Sequence, residues 1–379
     1  MTTDAADLTA RLIRCPSVTP EEGGALVLLG DLLAGAGFEV HRVDRNGTPN
    51  LFARWGAKGV RTLGFNGHTD VVPPGNPGSW THPPFSGHVE NGVIWGRGAT
   101  DMKSGVAAFV AAAIDFVTET PPDGAVIVTV TGDEEGPGKD GTVAILDWMA
   151  ANGERMDACI VGEPSNPDIF GEMVKIGRRG SMTFHITAEG VQGHAAYPHR
   201  AKNPLHALIR YLGDLTAQPL DQGTEHFDPT GLQVTTIDCG NPASNVIPET
   251  ATAIVNIRFN DLHTSASLIA DLTARADAIS AETGVAITLA PQVSGESFLT
   301  EPGPFVDLVR TVVREETGID PVLSTTGGTS DARFVKDHCP VVEFGLVGHF
   351  MHQVDERVPA EQVRALAGVY RRMLKRFHA

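Results

Sequence analysis

The sequence predicts an α/β protein: a main domain with a mostly parallel sheet flanked by helices, interrupted by a smaller inserted α+β domain. Three observations predict it. Short apolar strands alternate with helical stretches between residues 38 and 161. One of those strands, Ala125-Val-Ile-Val-Thr-Val, is apolar on both faces, as a strand covered by helices on both sides must be. From about Gly177 the pattern changes to alternating strands, and after residue 292 the first rhythm returns. Residues 1–176 and 293–379 are therefore assigned to the main domain and 177–292 to the insertion.

Taken in order, helical spacing appears over 5–14 and 22–34, the second stopped by Gly35 and Gly37 before Phe38-Glu-Val-His-Arg-Val alternates as a strand. Strands follow over 51–55, 62–66, 125–131 and 157–161, with helices over 104–118 and 142–152. Residues 73–84 hold five prolines and two glycines and can only be a loop. In the insertion, strands over 181–188, 232–239 and 251–259 interleave with helices over 204–217 and 265–282. A helix over 304–317, strands over 322–325 and 341–344, and a helix from Pro359 close the chain.

A length of 379 residues suits two domains, and 41% hydrophobic with 20% charged residues excludes disordered, collagenous and disulfide-scaffold classes. The net charge of −17 argues against nucleic acid or an anionic membrane as partner, so any basic pocket has to be local. Cys15, Cys159, Cys239 and Cys339 lack the short spacings of a zinc ribbon, and reduced thiols in a cytoplasm are expected. The chain starts acidic, unlike a signal peptide, and its greasiest stretch, 105–114, ends at Asp115, short of the ~20 apolar residues of a membrane span.

The chemistry sits after strand ends. His68 follows the 62–66 strand, and Asp70, two residues on, would share its side in extended chain and accept its second ring N–H. Asp101 stands just ahead of a helix, as a cap or as a ligand. Asp133-Glu134-Glu135 follows the most buried strand, and Glu163 follows the next. Gly348-His349-Phe350-Met351-His352 supplies a second imidazole after a late strand. Loops beyond strand ends of one sheet converge, and nitrogen and carboxylate donors without thiolate suit zinc, manganese or cobalt in a catalytic site. If two ions bind, one carboxylate would bridge them, and Glu134 is the spare acid for proton transfer.

His-Thr-Asp at 68–70, Gly-Arg-Gly-Ala-Thr-Asp-Met-Lys at 96–103, Asp-Glu-Glu-Gly at 133–136, Gly-Glu-Pro at 162–164 and Gly-His-Ala-Ala-Tyr-Pro-His at 193–199 together resemble the di-zinc aminoacylase and carboxypeptidase-G2 type metallohydrolases, in order and spacing over almost the whole chain. The resemblance implies hydrolysis of an amide between an acyl group and an amino acid, with two zinc ions per subunit that cobalt or manganese could replace. It implies one ion on His68 and Glu163, the other on Glu135 and His352, with Asp101 bridging and Glu134 as general acid/base. The family has a single histidine near its end where His349 and His352 compete here. His352, three before Asp355-Glu356, is the choice. The resemblance further implies that the insertion serves as lid and homodimer surface, and that His194 reaches the partner's site to meet the oxygen that becomes negative. Capping a turn in its own domain is the alternative for His194.

Specificity must come from the insertion. Lys175-Ile-Gly-Arg178-Arg179-Gly180-Ser181 places three cations in five positions, and Tyr197, Asn245, Arg258 and Thr325 complete the candidate substrate contacts. A local basic cluster in an acidic protein points to a small substrate with several carboxylates, since arginine pairs with them bidentately. An acetyl group would leave a second arginine unmatched. A non-catalytic metal- or peptide-binding relative would be expected to have lost a ligand or the base.

Overall fold

The computed structural model describes residues 3–379, so the first two residues of the acidic start lie outside it. It divides into two compact units, one of Met1–Ile176, Thr300–Ser324 and Ser330–Ala379, the other of Gly177–Leu299 and Thr325–Thr329.

The first unit is built on an eight-stranded sheet in the order Glu39–Arg42, Asn50–Trp55, Ala125–Thr131, Thr62–His68, Ala158–Val161, Val341–Glu343, Met173–Lys175, Val322–Ser324. Its centre is parallel, and an antiparallel hairpin forms one edge. Every residue of Ala125–Thr131 and Thr62–His68 is buried, because helices cover both faces of these strands. Helix Lys103–Glu119 packs on Ala5–Ile13 and Ala360–Phe377. Phe109 stacks on Phe65 at 4.0 Å between ring centres, a pairing that adds about 0.5–1.5 kcal/mol to simple burial and braces the strand that ends in His68.

At Gly105 a β-carbon would meet the Gly162 carbonyl oxygen at 2.3 Å, so only glycine lets the start of this helix approach the turn before Glu163. The second helix begins at Ala25 rather than residue 22, since Gly23 and Gly24 both have positive φ (60° and 89°). Two features escape sequence reading. Strand Met173–Lys175 and the small sheet of His88–Glu90, Val93–Trp95 and Arg357–Pro359 consist of three-residue strands, too short to show a period.

The second unit is a four-stranded antiparallel sheet in the order Gly231–Asp238, Thr250–Phe259, Gly180–Glu189, Ala286–Gly295. Its two long helices, Pro204–Thr216 and Ser265–Thr283, pack beside it. Alternation along Thr250–Phe259 buries Val255, Ile257 and Phe259 with Phe184, Leu208, Tyr211 and Leu272. The expected boundary at 292/293 needs correction to Leu299/Thr300. Val293 pairs with Met182 in strand Ala286–Gly295, whose second half is mostly exposed and carries no apolar alternation to read, and Phe298 pairs with Arg178 in the two-residue strand Phe298–Leu299. Thr325–Thr329 also belongs to this unit: Thr325 Oγ1 donates to the His226 carbonyl at 2.6 Å, and Arg178 Nη1 to the Thr326 carbonyl at 3.3 Å. All four cysteines are free thiols, and no described helix is long and apolar enough to cross a membrane.

Candidate metal centre

Strand Thr62–His68 delivers His68 to its C-terminal end, buried at 1% exposure. Its Nδ1–H donates to the Asp70 main-chain carbonyl at 2.9 Å, which leaves Nε2 as the nitrogen that faces the carboxyl groups. Nε2 faces Asp101 Oδ1 at 3.2 Å, Glu163 Oε1 at 3.5 Å and Glu134 Oε2 at 3.9 Å. The other oxygen of Asp101, Oδ2, lies 3.3 Å from His352 Nε2, which also meets Glu135 Oε1 at 2.9 Å. Asp101 thus spans two groups, His68 with Glu163 and His352 with Glu135. His349 stays outside this cluster, its Nε2 2.8 Å from Asp168 on the exposed surface.

Asp70 stabilises the centre differently from the expectation. Its carbonyl, not its carboxylate, orients His68, since the carboxylate stands 3.5 Å from Nδ1. That buried carboxylate instead accepts from Thr19 Oγ1 at 2.8 Å and from the main-chain N–H groups of Glu135 and Glu134 at 3.0 and 3.3 Å. It therefore fixes the loop that carries both glutamates. Asp101 does not cap its helix either, because the capping position falls on Met102 with no side-chain bond.

Sequence reasoning missed Glu356. This buried carboxylate accepts from Arg97 Nη1 at 2.7 Å and from the N–H groups of Thr100, Gly98 and Asp101 at 2.8, 3.0 and 3.0 Å. It locks the loop before Asp101 to the loop after His352. His352 and Asp355 both have left-handed backbone (φ 61° and 60°), which costs a non-glycine residue roughly 1–2 kcal/mol and persists only when neighbours impose it. Asp355 is held by the Thr81 N–H and Oγ1, both at 2.7 Å. Asp331, placed in the main domain by sequence but given no site role, belongs beside this cluster; its Oδ2 accepts from Thr142 Oγ1 at 2.7 Å, and its Oδ1 is buried without a partner among the described residues.

The electrostatics ask for a cation. Asp101, Glu134, Glu135 and Glu163 converge on two imidazoles, so four carboxyl groups crowd around only two groups able to carry positive charge. Burial opposes a charged His68, yet the bond to Asp101 and the charges of Glu163, Asp70 and Glu134 hold its pKa well above the ordinary value. Bonds to Asp101 and Glu135 push His352 up to about 10. Burial, with the charge of Asp101, raises Glu163, and burial drives Glu134 up to about 8 against the opposing charge of His68. Donors of His68, Asp101 and Glu135, and of His68, Glu134 and Glu163, lie within 4.8 Å of one another, and this thiolate-free set fits a borderline divalent metal.

Residues 64–376 match the model of peptidase family M20/M25/M40. The chain belongs to this family. Among its M20 relatives, a protein of Paracoccus denitrificans named succinyl-diaminopimelate desuccinylase is 77% identical over 99% of both chains. Another of that name from Cereibacter sphaeroides is 64% identical over the full length of both. The M20 fold is also that of the aminopeptidase PepT from Bacillus cereus, with a TM-score of 0.81 at 18% identity, covering 99% of this chain and 98% of that one. A dinuclear metal-binding M20 peptidase from Bacillus subtilis aligns with a TM-score of 0.73 at 15% identity, over 99% and 98%.

The second unit of this M20 chain holds the other expected residues. Ser181 lies opposite Arg258 in the strand pair Gly180–Glu189 and Thr250–Phe259. Burial and the nearby charge of Arg179 both lower the pKa of Arg258, and Arg179 Nε is buried without a hydrogen-bond partner among the described residues. Such crowded guanidinium groups suit an anion. Thr325 is buried with its hydroxyl engaged by His226, whereas Tyr197 and Asn245 are exposed. His194 is exposed too, and its Nδ1 accepts from the Ala196 N–H at 3.1 Å. The turn contact expected as the alternative role is therefore present, and it leaves Nε2–H as an outward donor.

Proposed function

We infer that the chain hydrolyses N-succinyl-L,L-2,6-diaminopimelate to succinate and L,L-2,6-diaminopimelate, a step of diaminopimelate and lysine synthesis, in the cytoplasm. The observation that carries this is identity of 77% over 99% of the chain to a relative bearing that activity in its name. The complete set of histidine, aspartate and glutamate donors supports an active enzyme over a binding relative. Two zinc ions, with cobalt or manganese as substitutes, would serve as cofactor: His68 and Glu163 would hold one, Glu135 and His352 the other, and Asp101 would serve both. Bound there, the metal supplies Lewis acidity to the scissile carbonyl and to the attacking water.

Glu134 takes a proton from the water as its oxygen attacks the amide carbon. The same proton passes to the amide nitrogen as the C–N bond breaks, releasing a neutral amine and a new carboxylic acid, whose remaining proton passes to the amine or to water to leave succinate. Asp70 keeps Glu134 in place through its main-chain N–H. Arg178 and Arg258, with Ser181, Tyr197, Asn245 and Thr325, bind the substrate, which carries a carboxylate on the acyl arm and one at each end of the diamino acid. The working form is a homodimer through the inserted domain. Its edge strand Gly231–Asp238, with Ile237 55% exposed, supports that surface.

Turnover of succinyl-diaminopimelate beside N-acetylornithine tests the reading: kcat/KM should strongly favour the former, and a preference for the acetyl substrate would make the enzyme a deacetylase. Arg178→Ala and Arg258→Ala should raise KM for the succinylated substrate far more than for a monocarboxylate N-acyl amino acid. An equal rise for both would remove carboxylate recognition from these residues.

A pH effect follows from Asp331, whose charge helps to raise the pKa of Glu134. Since the base form of Glu134 is the deprotonated one, kcat/KM falls as pH drops through its pKa. Asp331→Asn removes a negative charge, favours ionised Glu134, and should move that acid limb to lower pH. A limb that stays or moves upward would show that Asp331 does not act on Glu134.

A further inference from the structure

We propose that His82, His88 and Glu90 form a separate surface site for a borderline divalent transition metal, outside the buried cluster. Their donor atoms lie within 4.8 Å of one another. His88 and Glu90 are alternate residues of strand His88–Glu90, so their side chains leave the same face, and Val89 leaves the other. His82 arrives from the proline-rich loop. Its neighbour Thr81 is fixed by two bonds to Asp355, while Pro83 and Pro84 restrict the chain on the other side. The indole N–H of Trp80 donates to the Pro74 carbonyl at 2.9 Å and closes the loop on itself.

The imidazoles of His82 and His88 stack at 3.9 Å between centres with planes 24° apart, and Trp95 meets His82 edge-on at 5.3 Å. This packing orders both rings before any ligand arrives. His82 Nε2 stands 3.6 Å from Glu90 Oε2, too long for a hydrogen bond. Around a tetrahedral ion with ligands at about 2.0–2.1 Å, adjacent donors are about 3.3 Å apart, so binding needs the three groups to close in and the two rings to turn out of their stack until their in-plane lone pairs converge on the ion. His82 is 21% and Glu90 55% exposed, which gives an ion direct access and leaves room for water as a further ligand. Two imidazoles and one carboxylate select zinc, cobalt, nickel or copper over magnesium or calcium. The carboxylate of Asp355 is a second negative charge near His82 and adds to the attraction.

Equilibrium dialysis of the holoenzyme against rising free zinc, with bound zinc counted by elemental analysis, tests the site. The wild type should bind one saturable equivalent per subunit that His88→Ala lacks and Glu90→Gln weakens by about tenfold or more, while Val89→Ala keeps it. Because Glu90→Gln preserves shape, it remains informative if His88→Ala unfolds. Equal zinc binding by wild type and Glu90→Gln, or displacement of the extra zinc by equimolar magnesium, overturns the proposal. The readout is the difference between wild type and variants, so failure here is distinct from failure of the hydrolase reading, which turnover measures.

Discussion

Glu134→Ala should lower kcat by roughly 10²–10⁴-fold, the usual worth of a positioned general acid/base, while bound metal stays near the wild-type level. Its carboxylate stands 3.9 Å from His68 Nε2, farther than the other three acids are from their nearest imidazole nitrogen, as befits a group that moves a proton rather than holds an ion. Dialysis against a strong chelator should abolish turnover in the wild type, and returning zinc or cobalt should restore it. Kinetics and elemental analysis on the same samples separate the two roles. Parallel loss of metal and rate in Glu134→Ala would make Glu134 a ligand, and turnover that survives chelation would remove the metal from the reaction.

A second large effect is expected at His194. In the proposed homodimer the partner subunit's His194 donates to the oxygen that gains charge during attack, and losing one such donor costs roughly 10²–10³-fold in kcat. The contact from the Ala196 N–H to Nδ1 matters here, because it holds the proton on Nε2, the nitrogen left to donate. Mixing His194→Ala subunits with Glu134→Ala subunits makes the test decisive. Each variant homodimer should be nearly inactive, whereas a mixed dimer has one site with intact Glu134 and an intact His194 from its partner, so activity per mixed dimer should return to at most about half that of a wild-type dimer. If subunit exchange is verified by mass and no activity reappears, donation across subunits is wrong.

The cluster residues were legible because each is announced locally. His68, Glu135 and Glu163 follow strands whose apolar runs are visible in sequence, and a parallel sheet carries all such strand ends to one edge. Asp101 is announced by the glycine-rich turn and the helix after it. Choosing between His349 and His352 was another matter. Both stand in one loop three residues apart, and resemblance alone favoured His352. Only the left-handed backbone at His352 and the ties of Asp355 and Glu356 to distant residues decide which imidazole turns inward.

What the sequence determined by itself was the α/β class, the inserted second domain and the donor types of the centre, since these depend on periodicity, turn residues and chemistry within short windows. The tertiary structure alone decided the use of Asp70's carboxylate, the buried role of Glu356 and the end of the insertion at Leu299. Glu356 meets Asp101 across 255 residues, and Thr325–Thr329 joins the inserted unit from beyond a returning strand and helix of the first. No short pattern carries such contacts, because a buried carboxylate is stable only where folding brings enough donors to replace its water, and those donors lie elsewhere in the chain.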